Sequence, residues 1–117
     1  MDNDWARPVV HWEIIAKDPE ASAAFYREMF NWEIGEGRAK AIKPGIGAPE
    51  PAISGHILPG ETPRVVLSIQ VLDLRASLTK AVGLGGTIIR EPLDIPNGPT
   101  IARITDPEGN PIVLVQQ

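Results

Sequence analysis

Short apolar stretches alternate with proline- and glycine-rich punctuation along the whole chain. Val9 to Ala16 (VVHWEIIA) is β-branched and aromatic, which predicts a strand. Asp18-Pro19-Glu20 follows as a helix start: Asp18 suits the N-cap, Pro19 the first helical position, and Glu20 the positive end of the helix dipole. The helix is predicted to run to about Phe30, with Ala21, Ala24, Phe25 and Phe30 on or near its apolar face. Trp32 to Gly35 and Arg38 to Ile42 read as short strands. Pro44 to Pro51 reads as a loop, Ala52 to Leu58 as a fourth strand, and Pro59 to Pro63 as a linker.

The pattern then restarts. Arg64 to Val71 (RVVLSIQV) predicts a strand, Asp73 a second N-cap, and a helix extends to about Leu84. Gly85-Gly86 ends it with the positive φ that a C-terminal cap uses. Thr87 to Arg90 is a strand and Pro92 to Pro99 a turn-rich connection. Thr100 to Thr105 and Ile112 to Gln116 are strands joined by the turn Asp106-Pro107-Glu108-Gly109-Asn110. Asp18 and Asp73 stand 55 residues apart. At that offset Val10 meets Val65, Ile14 meets Ile69, Ala21 meets Ala76, Ser22 meets Ser77, and Ile34 meets Ile89. One register with matching element order implies duplication of a unit. Two units side by side bury the edge that each alone leaves open, and create a shared concavity.

Composition narrows the function classes. The 117 residues suit one modest core, and no apolar run reaches the length of a membrane span. A net charge of −4 and scattered basic residues argue against nucleic acid, which needs a basic face. The basic cluster from Arg38 to Lys43 reads as a solvated strand or loop. Absence of cysteine excludes disulfides and thiolate chemistry and suits a reducing, cytoplasmic setting. The polar N-terminus from Met1 to Trp5 lacks the features of a signal peptide.

Specific motifs in both halves now carry a resemblance. The first half reads Val10-His11-Trp12-Glu13-Ile14, Asp18-Pro19-Glu20-Ala21, Phe25-Tyr26 and Phe30-Asn31-Trp32. The second reads Val71-Leu72-Asp73-Leu74, Leu84-Gly85-Gly86-Thr87, Asp94-Ile95-Pro96 and Asp106-Pro107-Glu108-Gly109-Asn110-Pro111-Ile112. Nearly the whole chain thereby resembles the vicinal oxygen chelate superfamily, the group of glyoxalases, bleomycin-resistance proteins and extradiol dioxygenases. The resemblance implies a single α+β domain over residues 1–117. Two tandem βαβββ modules, about 8–58 and 64–117, would pair into a curved mixed sheet with a central cleft.

The resemblance also implies where to look for chemistry. Superfamily enzymes place metal ligands on each module's first strand, seven residues before the capping Asp, and on its last strand. His11 holds the first of these positions, but Val66 and Val113 stand at two others, where they cannot ligate. Ser54 or His56 falls at the fourth. The standard metal site is therefore degenerate. Strand alternation still puts His11 and Glu13 on one face, and an inward His56 would complete a two-His, one-carboxylate set. Plainer readings stand beside this one. His11 would be a hydrogen-bonded pocket residue, His56 an exposed strand-end residue, and Glu13 half of an ion pair at the pocket rim. Trp12, Phe25, Tyr26, Phe30 and Trp32 read as core, with Trp12 facing the helix. Trp5 would cover the pocket or a dimer seam. The stretches around Gly45-Ile46-Gly47 and Gly83 to Gly86 lack the setting of a phosphate cradle. No serine or cysteine triad is legible, since neither histidine sits in a nucleophile motif.

Two functional expectations follow. The first is a binding module holding a small organic molecule without a metal. Val66, Ser68, Val113 and Val115 would line it, and His11, Glu13, Ser54 and His56 would supply polarity. The second is a lyase, isomerase or dioxygenase of the superfamily. There His11, Glu13 and His56 hold a divalent metal, or Glu13 and His11 act as base and orienter. Either way the expected cofactor is none or a divalent metal, and the expected partners are a small-molecule ligand and a second copy of the chain.

Overall fold

In the computed structural model the described residues are 6–44 and 53–116. Trp5, the Gly45-Ile46-Gly47 stretch and the expected strand start at Ala52 lie outside them. The chain divides into two compact units, His11–Val66 and Leu67 onward, the latter counted together with the residues up to Val10.

The first unit opens on β1 (Val9–Ala16), which lies in it from His11 on. The helix α1 (Pro19–Phe30) begins as expected: the Asp18 carboxylate accepts from the Ala21 amide at 3.1 Å, and Pro19 opens the first turn. It ends at Asn31, whose left-handed backbone (φ 61°) lets its amide bond back to the Arg27 carbonyl. The expected strand at Trp32 to Gly35 reduces to one bridge, Ile34 to Ile42. The next strand is shorter than expected, β2 (Lys40–Ile42), and pairs antiparallel with β3 (Gly55–Pro59). β3 in turn runs parallel to β1, which sets Glu13 opposite His56. The core of this unit is Ala16, Ala23, Ile34, Ile42 and Ile57, with Trp12, Ile14, Tyr26 and Trp32 packed against it.

Three expectations for this unit change. α1 turns Ala23 inward, with Tyr26 next in line, and leaves Phe25 56% and Phe30 51% exposed. Tyr26 and not Phe25 meets the core because its ring stacks on Trp32, 5.1 Å between centroids at 9°. Phe25 and Phe30 flank Tyr26 from outside, edge-on and stacked respectively. The basic stretch is not wholly solvated either: Lys40 is 3% exposed. Its stem lies inside while its ammonium donates to Glu20 Oε2 at 2.7 Å and to the Gly37 carbonyl at 2.9 Å.

The second unit contains β4 (Arg64–Gln70, from Leu67 on), α2 (Leu74–Gly83), β5 (Thr87–Asp94), β6 (Thr100–Thr105) and β7 (Pro111–Gln116). β4 pairs parallel with β7; β7 with β6 and β6 with β5 pair antiparallel. This is the full β-α-β-β-β order read from the sequence. Asp73 caps α2 by accepting from the Ala76 amide at 3.0 Å, and Gln116 Oε1 takes the Leu74 amide at 2.6 Å. At the other end the Gly85 amide bonds Val82 O and the Gly86 amide bonds Ala81 O, a Schellman closure. Only Gly85 of the pair has positive φ, at 98°. Gly86 is needed for a different reason: a Cβ there would stand 2.7 Å from the Thr105 carbonyl oxygen.

β5 runs on through Pro92, where the sequence predicts a turn. It lies at the edge of this group of strands, and its pairing with β6 shifts register around Arg90 and again before Leu93. An edge strand with such irregularities tolerates a residue without an amide donor. The hairpin between β6 and β7 is held by Asp106, whose carboxylate accepts from the amides of Glu108 and Asn110 and from the Asn110 side chain. Those bonds hold its carboxyl below the usual range. The core here is Val71, Leu74, Leu78, Ala102, Ile104 and Leu114. The fold class is α+β with mixed strand pairing, and among the described residues no helix is long and apolar enough to cross a membrane.

Candidate functional site

β1 places His11 and Glu13 on one face by simple alternation, while Trp12 and Ile14 point to the helix side. The parallel register with β3 then brings His56 to the same face. Gly55 between Ser54 and His56 is required here, because a Cβ on it would stand 2.5 Å from the Trp12 ring. The indole thus seats against the start of β3, and its N–H donates to the Ile53 carbonyl at 3.3 Å. Ser54 is held between two pinned backbone positions.

These four residues form a continuous line of polar contacts. Ser54 Oγ lies 3.2 Å from His11 Nδ1. His11 Nε2 lies 2.7 Å from His56 Nδ1, with the ring centroids 4.8 Å apart. His56 Nε2 lies 2.9 Å from Glu13 Oε2. Ser54, His11 and His56 are half-buried, the His56 side chain 21% exposed, while that of Glu13 is 2% exposed. A carboxylate that deep requires partners, and an imidazole N–H is one of them. Burial lowers the His11 pKa below the ordinary histidine value; the neighbouring His56 lowers it further, and Glu13 offsets part of this.

The donor and acceptor roles of the two rings depend on their tautomers, and one assignment that makes every contact a hydrogen bond is this. The Ser54 hydroxyl donates to His11 Nδ1, His11 Nε2–H to His56 Nδ1, and His56 Nε2–H to the Glu13 carboxylate. Both imidazoles are then neutral Nε2–H tautomers. The line brings a serine and a histidine together although no nucleophile motif in the sequence marks either. Its members lie 43 and 45 residues apart in sequence, so no local motif announces it. It corrects the reading of His56 as an exposed strand-end residue.

The metal set expected from His11, Glu13 and His56 is brought together, but in the wrong geometry for ligation. An ion requires lone pairs converging on one point at roughly 2.0–2.2 Å. Here two ring nitrogens lie 2.7 Å apart, and Glu13 engages the far nitrogen of His56. The donors form a line, and no single point sees all three. Among the described residues no group of three His, Cys, Asp or Glu side chains is arranged to hold a metal.

The remaining expected lining residues are buried. Val66 lies in the first unit. Ser68, Val113 and Val115 lie in the second, with Ser68 directly opposite Val113 in the β4–β7 ladder.

Comparison with known proteins adds the following. A family model described as a glyoxalase-like domain matches residues 10–115. No curated protein matches the sequence. Among solved structures, a hypothetical protein from Bacillus halodurans C-125 superposes with a TM-score of 0.67 at 12% identity, covering 97% of this chain and 96% of that one. A methylmalonyl-CoA epimerase from Streptomyces coelicolor gives 0.66 at 17% identity, with 94% of each chain covered. A glyoxalase/bleomycin resistance protein/dioxygenase superfamily member from Vibrio splendidus 12B01 gives 0.65 at 14%, covering 96% and 100%. At such identities the structural likeness establishes the fold alone.

Proposed function

Since this chain belongs to the glyoxalase-like domain family, we propose that it binds a small organic molecule beside Ser54, His11 and His56 and exchanges a proton with it, without the standard metal. The observation that supports this is the unbroken line Ser54–His11–His56–Glu13. A buried carboxylate behind two imidazoles stabilises positive charge as it forms on the rings, which is what a general base requires. The depressed pKa leaves His11 neutral, and so able to accept a proton, at pH 7. Isomerisation or elimination at an acidic C–H is the chemistry such a base serves.

The test is a screen of small carboxylic acids, esters and aromatic compounds, read by the ring resonances of 15N-labelled histidines. A ligand of the proposed kind shifts both His11 and His56. In Glu13→Gln the amide oxygen still accepts from His56 but the carboxylate charge behind the rings is gone, and any turnover found drops on the order of 100-fold or more. Ligands that bind tightly yet leave both rings unmoved would remove this reading.

The metal-dependent alternative, a lyase or dioxygenase with His11, Glu13 and His56 as ligands, is favoured only by the closeness of the three side chains. It requires the His11–His56 contact to open.

A further inference from the structure

The line that ends inside at Glu13 begins at the half-buried Ser54 hydroxyl. His11 has both nitrogens occupied, one by His56 and one by Ser54, so with these contacts intact a proton reaches it through Ser54 Oγ. We propose that Ser54 is a nucleophile for acyl transfer, with His11 as its base and His56 and Glu13 as positioning residues, acting on small carboxylic esters. The proposal rests on the acid–base reading of the same residues and adds a covalent step to it.

The geometry meets the requirements of an activated nucleophile. The hydroxyl and the base nitrogen are 3.2 Å apart, at the outer limit of hydrogen-bond reach and common before a substrate tightens the contact. The base is oriented by a third group on its other nitrogen, as in a serine hydrolase triad. Here that third group is itself an imidazole, and the buried Glu13 lies behind it. The backbone under Ser54 is fixed on both sides: the Trp12 indole bonds the Ile53 carbonyl, and Gly55 pairs with Trp12 in the β1–β3 ladder.

The step balances as follows. Ser54 Oγ bonds to the ester carbonyl carbon while its proton passes to His11 Nδ1. His11 becomes an imidazolium whose Nε2–H still donates to His56. The carbonyl carbon–alkoxy bond then breaks, and the proton on Nδ1 leaves with the departing oxygen as an alcohol. Water attacks the resulting seryl ester and gives its proton to Nδ1. The acyl–Oγ bond breaks, and that proton returns to Ser54 as the carboxylic acid departs.

An electrophilic fluorophosphonate tests this on the intact chain without knowledge of the natural ester. Intact mass and peptide mapping should show one adduct per chain, on Ser54, absent in Ser54→Ala. In His11→Gln the labelling rate should fall on the order of 100-fold or more. Because the chain contains no cysteine, Ser54→Cys introduces one thiol. Its alkylation by iodoacetamide at pH 7 should outpace that of a free cysteine peptide, since a paired histidine favours the thiolate. This second variant serves if His11→Gln does not fold. No adduct on Ser54 together with an unactivated thiol in Ser54→Cys overturns the proposal. So does a labelling rate unchanged in a folded His11→Gln. If the histidine resonances still show the coupled hydrogen bonds, only the nucleophile falls and the acid–base reading stands. If they do not, both fall.

Discussion

Glu13 and His11 lie two residues apart on one strand face, yet they meet very different surroundings. Glu13 is inside and paired with His56, while His11 is half-buried between a hydroxyl and a second imidazole. For His11 burial outweighs the nearby carboxylate, so the folded chain binds its proton more weakly than the unfolded chain does. The unfolded state therefore holds more protons just below pH 6.5, and stability must rise with pH through that window. Stability is complete above the ordinary histidine range. It falls as pH drops from about 6.5 towards the lower folded value, and this contribution then levels off. Melting curves from pH 5 to 8 should show that fall in the wild type and a shallower one in His11→Gln. Parallel curves would mean that the line of contacts does not perturb His11. Much of this site was legible at the residue scale. Period-two alternation alone pairs His11 with Glu13. The inward facing of Ser54 and His56 was not legible, because it depends on a parallel pairing between strands some forty residues apart. The linear arrangement, which favours hydrogen bonding over ligation, depends on ring orientation, and no sequence pattern encodes that.

Helix ends carried their signals openly. Asp18-Pro19 and Asp73 each cap a helix by the bond their side chains are built to make. Asp73→Ala should cost about 1 kcal/mol, roughly 4 °C in melting temperature. The cost should sit at the low end of the capping range, because Gln116 still satisfies the Leu74 amide. Denaturant midpoints of Asp73→Ala and of the double variant with Gln116→Leu check this. The double variant should lose more than the sum of the two singles, since the helix start then has neither acceptor. The inward face of α1 was harder to read. Every position from Ala21 to Tyr26 is small or aromatic, so several stripes compete. Stacking of Tyr26 on Trp32 decides among them, and that contact joins the helix to the segment after it. Pro92 misled for a related reason: its tolerance inside β5 comes from the edge position and the shifted register.

At the scale of the whole molecule, duplication and the closing hairpin made the fold class readable, while the chemistry stayed open because one fold hosts many reactions. The family's usual metal is where the two part. A resident ion at one hundred times its dissociation constant would add about 2.7 kcal/mol to stability. For a chain of this length that is roughly 10 °C in melting temperature. The line of donors in this site has no point for such an ion unless the 2.7 Å bond between His11 and His56 is given up, which exposes buried polar groups to an unmet demand. Addition of Zn, Ni, Mn or Fe(II), or removal of metals with a chelator, should therefore leave the melting temperature within about 1 °C of the starting value at pH 7. His11→Ala should show the same insensitivity. A rise of roughly 10 °C with one metal, lost in His11→Ala, would show that the His11–His56 contact opens to take an ion, and the site would then have to be read as a metal centre. An unchanged melting curve alongside labelling at Ser54 would place the chemistry on the chain's own side chains.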